Sequence, residues 1–338
     1  MIKTFLRNAL QQSLDASALT PLTPLVQENL RRVITSDTLS REVLVELFAH
    51  RCCAIRIPNF YPKPMLPIMQ HRLLSSDHRT NWQVSDPQRG LENSNVESVG
   101  TPLTAATLNR NSAAADTTDT ATNATDNTTD HMAHYFLAAQ RLTRELRAAG
   151  TGKDFAGTKG DTHSLVMTPM DKLRLELDEE WPGGARVGRD KNTGRALLAG
   201  CGRIMHSTSS TDPGFCHVDD IAIMKETSGT FSANVYLETP PVGLGGELNI
   251  WPIQINSRLD FYTHSASLSL LLTQEKSAQE ALRRCLPPPI TIVPEPGDLI
   301  MICAQRPHAV VGFDAGRRVS MQTFVEVDGL KHSLMLES

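Results

Sequence analysis

The C-terminal part of the chain alternates short apolar runs with turn-forming residues. From about residue 196 onward this pattern predicts eight strands, since runs of this length bounded by glycine, proline and polar clusters are typical of β-structure. They are Ala196–His206, His217–Met224, Phe231–Leu237, Glu247–Trp251, Ile290–Val293, Leu299–Ala304, Ala309–Phe313 and Val319–Val327. Eight short strands in one block, with helices before them, indicate an α+β fold with a double-stranded β-helix, or jelly-roll, core over residues 196–328.

Residues 1–195 read instead as a mostly helical part that buttresses this core. Apolar residues recur at helical spacing within residues 1–50, 62–77 and 134–149, and residues 53–58 alternate like one short strand. Thr168 and Pro169 mark the start of a further helix, and Pro182 follows its end. We expect a single domain spanning residues 1–338, because no linker separates the two parts.

One segment stands apart from both patterns. Residues 112–130 contain no aromatic side chain and no aliphatic one larger than alanine, so they cannot contribute to a packed core. We interpret this Thr-, Ala- and Asp-rich stretch as a flexible surface loop. A gate over the active site is an alternative role, because long loops in compact domains often serve function.

Composition narrows the class of partner. A net charge of −4 over 338 residues, without a dense Lys/Arg run, gives no general attraction to nucleic acid. We therefore expect a small uncharged or mixed-charge substrate.

No apolar run approaches the roughly 20 residues that cross a bilayer. The six cysteines form no CxxC pair, which favours reduced thiols in a cytoplasmic protein. The first 20 residues fit an amphipathic helix better than a targeting peptide, because they lack a continuous apolar stretch.

Three residues have the types and spacing of a metal site. His217 and Asp219 are two positions apart, so on a strand both side chains lie on one face, and His308 is expected from a neighbouring strand. Two histidines and one carboxylate on one face of an ion are typical of non-haem Fe(II) oxygenases. Asp220 is the rival carboxylate, but it would not share a strand face with His217.

Arg318 follows ten residues after His308. On a strand, Arg318, Ser320 and Gln322 would all face the interior, where an arginine requires an anionic partner. A bidentate organic acid fits this requirement. The alternatives are that Arg317 faces inward instead, or that Arg318 pairs with an acidic residue of the protein.

The C-terminal half resembles the Fe(II)/2-oxoglutarate-dependent oxygenase superfamily in several motifs. The Val235-Tyr236-Leu237 strand and the Gly245–Leu248 turn resemble its prolyl-4-hydroxylase-like branch. The strings MDKLRLELDEEW, GGELNIWP and GDLIMICAQRPHAVVGF, followed by RRVSMQTF, are closer to the bacterial group that includes cyanobacterial indole-alkaloid halogenases. The resemblance covers roughly residues 165–327.

This resemblance implies that the single domain is an oxygenase with Fe(II), 2-oxoglutarate and O2 as its cofactor and cosubstrates. It implies that His217, Asp219 and His308 bind the iron, that Arg318 holds the distal carboxylate of 2-oxoglutarate, and that Ser320 assists. The halogenases of the group have glycine where this chain has Asp219. The carboxylate therefore favours hydroxylation, or desaturation or oxidative cyclisation, of a small molecule in natural-product biosynthesis.

Weaker candidates remain beside these. Asn234, Arg203 and His206 could contact cosubstrate or substrate, although hydrogen bonding in the core or at the rim is the commoner role of such residues. Trp82 and Phe136 could line a pocket or pack in a helical core. His264 is expected to be exposed, and Met224 and Lys225 lie in a segment that could cover the site. A non-catalytic metal-binding jelly roll acting as a sensor is the competing hypothesis, as is hydroxylation of a protein side chain.

Overall fold

The computed structural model describes residues 19–86, 90–102, 124–148, 166–209, 212–220, 222–225 and 227–338. This part of the chain contains strands β1 to β13, which are Val33–Thr35, Ala54–Ile57, Arg79–Asp86, Gly90–Val99, Ala185–Val187, Cys201–His206, Ser228–Glu238, Leu248–Ile250, Ile290–Ile292, Leu299–Cys303, His308–Val310, Arg317–Asp328 and Leu334–Glu337. It also contains helices α1 to α7, which are Arg41–Phe48, Leu66–Ser75, Ala124–Arg147, Pro169–Glu180, Arg258–Thr263, Ser265–Ser269 and Lys276–Cys285.

Ten of the described strands form one large sheet. Its main path runs β1-β2-β10-β7-β12-β6-β4-β3, and β13 and β5 extend it beside β12. Strand β12 is the centre, because it pairs with β7 over nearly its whole length. On the other edge of β12, β6 pairs with its first half and β13 with its second half.

A smaller sheet of three antiparallel strands, in the order β11-β8-β9, faces the large one. The apolar side chains between the two sheets form a cluster of their own. It consists of Cys53, Ala54, Tyr236, Leu248, Ile250, Ile292, Ile300 and Ile302. Burying these groups on facing strands holds the sheets together, since each Å² of apolar surface removed from water contributes about 25 cal/mol.

The opposite face of the large sheet is covered by helices. Apolar residues of α1 to α4 pack there against outward-facing residues of the central strands. Helix α4 begins as its sequence predicts, because the Thr168 hydroxyl accepts from the Asp171 N–H at 3.1 Å and the Asp171 carboxylate accepts in return. The architecture is therefore a mixed α and β fold with a large sheet between helices and a smaller sheet.

Seven of the eight strands expected in the C-terminal part are present, with different bounds. The prediction of a strand over His217–Met224 is wrong. Only His217 makes a ladder-type bridge there, with His308. The N–H groups of Asp219 and Asp220 both point to the carbonyl of Ala304, so the chain turns away from its partner after one rung.

The N-terminal part contains more strand than its sequence pattern indicates. Strands β3 and β4 form a hairpin, and β4 pairs with β6 from Val96 to Val99. These polar strands are held by the edge of the sheet and not by an apolar alternation of their own. Residues 124–130 belong to α3, so the expected loop over 112–130 is wrong for that portion. The helix extends through them from its buried part, which includes Phe136 and Leu142. Residues 1–18 and 103–123 lie outside the described residues.

The segment between β8 and β9 packs against the residues that precede β1. Its helices α5, α6 and α7 share an apolar cluster with Leu22 and Leu25. His264 is buried there, with its Nδ1 atom 2.9 Å from the Thr20 hydroxyl, so the expectation of an exposed His264 is wrong. All six cysteines are buried free thiols, as expected. Among the described helices, none combines the length and apolar character needed to cross a membrane.

Candidate metal centre

The two histidines of the expected ligand set are joined through their backbones. The N–H of His217 donates to the carbonyl of His308 at 3.0 Å, and the N–H of His308 donates back at 2.9 Å. This single antiparallel rung places the imidazole rings with their centroids 4.5 Å apart. The rings therefore meet where His217 pairs with the first residue of β11.

Asp219 completes the cluster. Its N–H bond to Ala304 turns its side chain toward both rings. One carboxylate oxygen lies 3.8 Å from Nε2 of His217, and the other lies 3.5 Å from Nε2 of His308. One ligand atom from each of the three residues falls within 4.8 Å of the others. The Oδ2 atom of Asp219 is buried without a hydrogen-bond partner in the described structure.

The other nitrogen of each ring is bound to backbone. Nδ1 of His217 lies 3.0 Å from the carbonyl of Phe215, and Nδ1 of His308 lies 2.9 Å from the carbonyl of Arg306. A carbonyl only accepts, so each Nδ1 carries the hydrogen and each Nε2 turns its lone pair toward Asp219. Burial, together with the nearby His308, lowers the pKa of His217 to about 4. His217 is thus held as a neutral imidazole, the form that binds a metal.

Two imidazole nitrogens and one carboxylate oxygen form a donor set for a divalent transition metal. These donors suit iron, and they lie on one side of the point where an ion would bind. Without an ion, three electron-rich atoms face one another and the carboxylate oxygen lacks a donor. The orphaned oxygen and the orientation of both rings fit a metal better than a surface polar pair.

Arg318 lies on the inner face of the large sheet. Only 6% of its surface is exposed, and its Nη2 atom donates to the Tyr236 hydroxyl at 2.7 Å. Its Nε atom is buried and has no hydrogen-bond partner. Among the described residues it makes no ion pair, whereas Arg317 points outward to Glu238. Burying an uncompensated cation costs several kcal/mol, so Arg318 requires an anion that the described residues do not supply.

Ser320 and Asn234 share that inner face. Ser320 is buried and lies across from Tyr236 on β7 and from Arg203 on β6. Asn234 lies across from Gln322 and donates to the Ser232 hydroxyl at 3.1 Å. Ser320 therefore adjoins the Arg318 pocket, while the contact of Asn234 in this structure is with a neighbouring serine.

Arg203 is held on the same face by uncharged groups. Its guanidinium carbon lies 3.5 Å from the ring centre of Trp82, and its Nε donates to Gln322 at 3.0 Å. Trp82 is on strand β3 at the edge of the large sheet, so the expected role in a helical core is wrong for it. Sequence reasoning missed Tyr236 as the partner of Arg318, although its two-residue spacing from Asn234 places both on one strand face.

The remaining candidate residues do not belong to the cluster of His217, Asp219 and His308. His206 is at the rim, 3.2 Å from a carboxylate oxygen of Glu97, and Phe136 is in the helical core. Met224 is buried with its N–H bound to Ile255, and Lys225 is exposed. Asp220 does not belong to the three-residue cluster.

Comparison with known proteins gives structural likeness only. No family model matches the sequence, and no curated protein does. An N-substituted L-amino acid dioxygenase from Burkholderia ambifaria, whose structure is also known in complex with alpha-KG, is 15% identical over 88% of this chain and 91% of its own, with a TM-score of 0.48. A Pseudomonas putida prolyl-4-hydroxylase is 12% identical over 86% and 98%, with a TM-score of 0.34. The epimerase SnoN from nogalamycin biosynthesis, in complex with Fe3+ and alpha ketoglutarate, is 11% identical over 85% of each chain, with a TM-score of 0.36. Because each of these TM-scores is below 0.5, the function of this chain has to follow from its own residues.

Proposed function

We propose that this chain is an Fe(II)- and 2-oxoglutarate-dependent dioxygenase that hydroxylates an unactivated C–H bond of a small molecule, in natural-product metabolism. Its two facing sheets are then a jelly-roll core. One observation carries the proposal: the same fold contains the cluster of His217, Asp219 and His308 and a buried Arg318 that has no anionic partner among the described residues.

The residues present fit both groups. Two neutral imidazoles and a carboxylate with an orphaned oxygen would hold Fe(II). The buried guanidinium of Arg318, with its unsatisfied Nε, would hold the distal carboxylate of 2-oxoglutarate, and Ser320 adds a hydroxyl next to it. The Tyr236 hydroxyl fixes the guanidinium in place at 2.7 Å.

When bound together, Fe(II), 2-oxoglutarate and O2 supply the oxidising power to break a C–H bond, with succinate and CO2 as the other products. The contribution of the chain is to position these groups. The Nδ1 hydrogens of His217 and His308 are bound to carbonyls, which orients each ring with its Nε2 atom toward Asp219. Arg318 and Tyr236 would orient the cosubstrate, and the apolar layer between the sheets keeps bulk water from Tyr236.

Asp219 bears on the type of oxidation. With a carboxylate in the ligand set, the protein leaves no position of its own for a halide, which favours hydroxylation over halogenation. Desaturation and oxidative cyclisation use the same residues and differ from hydroxylation only after the C–H bond is broken. Products of a reaction with a screened substrate distinguish an alcohol from an alkene or a ring.

The test is anaerobic reconstitution with Fe(II) and 2-oxoglutarate. We expect a visible metal-to-ligand absorption band in the wild-type protein and its loss in His308→Ala, while His206→Ala at the exposed rim keeps it. Admission of air with a library of small molecules should then release succinate in step with one oxidised product. Absence of the band in the wild-type protein would contradict the proposal, and a band without succinate for any library member would favour a non-catalytic sensor.

A further inference from the structure

Arg203 is a second cation on the inner face of the large sheet, and its contacts with described residues leave its charge uncompensated. Trp82 stacks on the guanidinium at 3.5 Å, Gln322 accepts from Nε at 3.0 Å, and Ser98 accepts from Nη1 at 3.4 Å. None of these partners is charged, and Arg203 makes no ion pair in the part of the chain that the structure describes. The Nη2 group has no hydrogen-bond partner there, and the residue is partly exposed.

The position of Arg203 places it on the same inner sheet face as Arg318. On β6 it lies across from Ser320, while Met205, two residues further, lies across from Arg318. The two arginines therefore occupy neighbouring strands on one face. Burial lowers the pKa of Arg203, and the neighbouring Cys201 and Asp219 oppose that lowering.

The charges of the loaded site leave one group without a counterion, and this step rests on the proposed function. The two positive charges of Fe(II) and the two negative charges of 2-oxoglutarate offset each other. Asp219 offsets one of the two guanidinium groups, and the neutral histidines add nothing. Among these groups one positive charge is left over, and an isolated ion is costly where it is partly buried.

We propose that Arg203 binds an anionic group of the substrate, a carboxylate, through its unpaired Nη2 edge. Trp82, Gln322 and Ser98 hold the guanidinium plane still, so little side-chain freedom is lost when the substrate binds. A substrate with one carboxylate brings the loaded cavity to neutrality. This narrows the expectation of an uncharged or mixed-charge substrate to one that carries an anionic group.

Matched pairs of ligands test this assignment. The probes are 4-phenylbutyrate, indole-3-propionate and octanoate, each compared with its primary carboxamide. Binding is measured by calorimetry to the protein loaded with Zn(II) and 2-oxoglutarate, where no turnover occurs. We expect at least one acid to bind the wild-type protein at least about tenfold more tightly than its amide, since a charge-assisted pair is lost in the amide.

Variants locate the source of that preference. Arg203→Gln keeps a hydrogen-bonding side chain and should reduce the preference to within about twofold, whereas Arg203→Lys should keep part of it. His206→Gln, on the same strand but at the exposed rim, should keep it in full. A preference that survives Arg203→Gln, or a panel in which no acid binds better than its amide, overturns the proposal.

A separate titration distinguishes failure of the Arg203 assignment from failure of the proposed oxygenase function. Zn(II) and 2-oxoglutarate are first titrated into the wild-type protein, and lack of binding there counts against the oxygenase itself. If Arg203→Gln loses affinity for 2-oxoglutarate, Arg203 serves the cosubstrate and the substrate assignment is wrong. Normal 2-oxoglutarate affinity together with a lost acid preference supports it.

Discussion

Replacing Asp219 by asparagine should have opposite effects on the metal-free and the metal-loaded protein. In the metal-free protein the Oδ2 atom of Asp219 is buried without a donor, 3.5 Å from Nε2 of His308. An unsatisfied buried polar atom costs about 1–3 kcal/mol. The asparagine amide carries no charge and can donate to an Nε2 lone pair. We expect Asp219→Asn to stabilise the metal-free protein by about 1 kcal/mol, which raises Tm by about 2 °C for a chain of this size.

The loaded protein should respond in the other direction. At an ion concentration 100 times its Kd, binding to the folded state adds about 2.7 kcal/mol to the stability of the wild-type protein. If loss of the carboxylate weakens binding about 100-fold, the same concentration adds only about 0.4 kcal/mol to Asp219→Asn. The order of the two melting temperatures therefore reverses when the ion is added.

Thermal unfolding with EDTA, and then with Co(II) in place of Fe(II), measures both effects. Asp220→Asn is the matched control, because Asp220 is the adjacent acid and lies outside the three-residue cluster. It should keep the full stabilisation by Co(II). The reasoning is refuted if Asp219→Asn lowers the Tm of the metal-free protein, or if Co(II) stabilises both variants equally.

Three further outcomes are expected. Arg318→Lys should weaken 2-oxoglutarate binding about 10- to 100-fold in calorimetry, because the ammonium cannot make a two-pronged contact, while Arg317→Lys on the exposed face should not. Burial and the neighbouring Arg306 lower the pKa of His50 to about 4. Between about pH 6.5 and pH 4 the unfolded chain therefore binds a proton at His50 that the folded chain does not bind. The free energy of unfolding should fall as pH drops through this range. In urea unfolding at pH 7 and pH 4.5, His50→Gln should remove about 2 kcal/mol of that loss and the exposed His71→Gln none of it. All six cysteines are buried, so a thiol reagent should label none in the native protein and six after denaturation; rapid native labelling would contradict their burial.

The grouping of His217, Asp219 and His308 could be predicted from sequence, although the strand expected to carry the first two is absent. One bridge at His217 and the bond of the Asp219 N–H to Ala304 bring these side chains together instead. The inward direction of Arg318 follows from alternation along β12, where Arg317 faces solvent. The start of helix α4 at Thr168 follows from its capping residues in the same way.

The features that could not be predicted depend on contacts between distant segments. Strand β4 has no apolar alternation; it pairs with β6 on one side and with β3 on the other. The stacking of Trp82 on Arg203 follows from that pairing, so no local pattern could indicate it. His264 is buried because its helices pack against residues near Leu22, more than 200 positions earlier in the chain.

The orientation of the His217 and His308 rings depends on backbone carbonyls, so no neighbouring side chain in the sequence indicates it. Each histidine bonds through Nδ1 to the carbonyl two residues before it, at Phe215 and Arg306, and any residue type supplies a carbonyl. The only requirement is that the backbone brings this carbonyl next to Nδ1. Gly214 secures that path: its φ of +78° belongs to the left-handed region, and a Cβ there would lie 1.8 Å from the carbonyl oxygen of Val310. Because β11 extends from His308 to Val310, this close approach presses the segment before His217 against the strand that carries the other histidine. The sequence requirement of the site therefore includes a glycine that binds nothing.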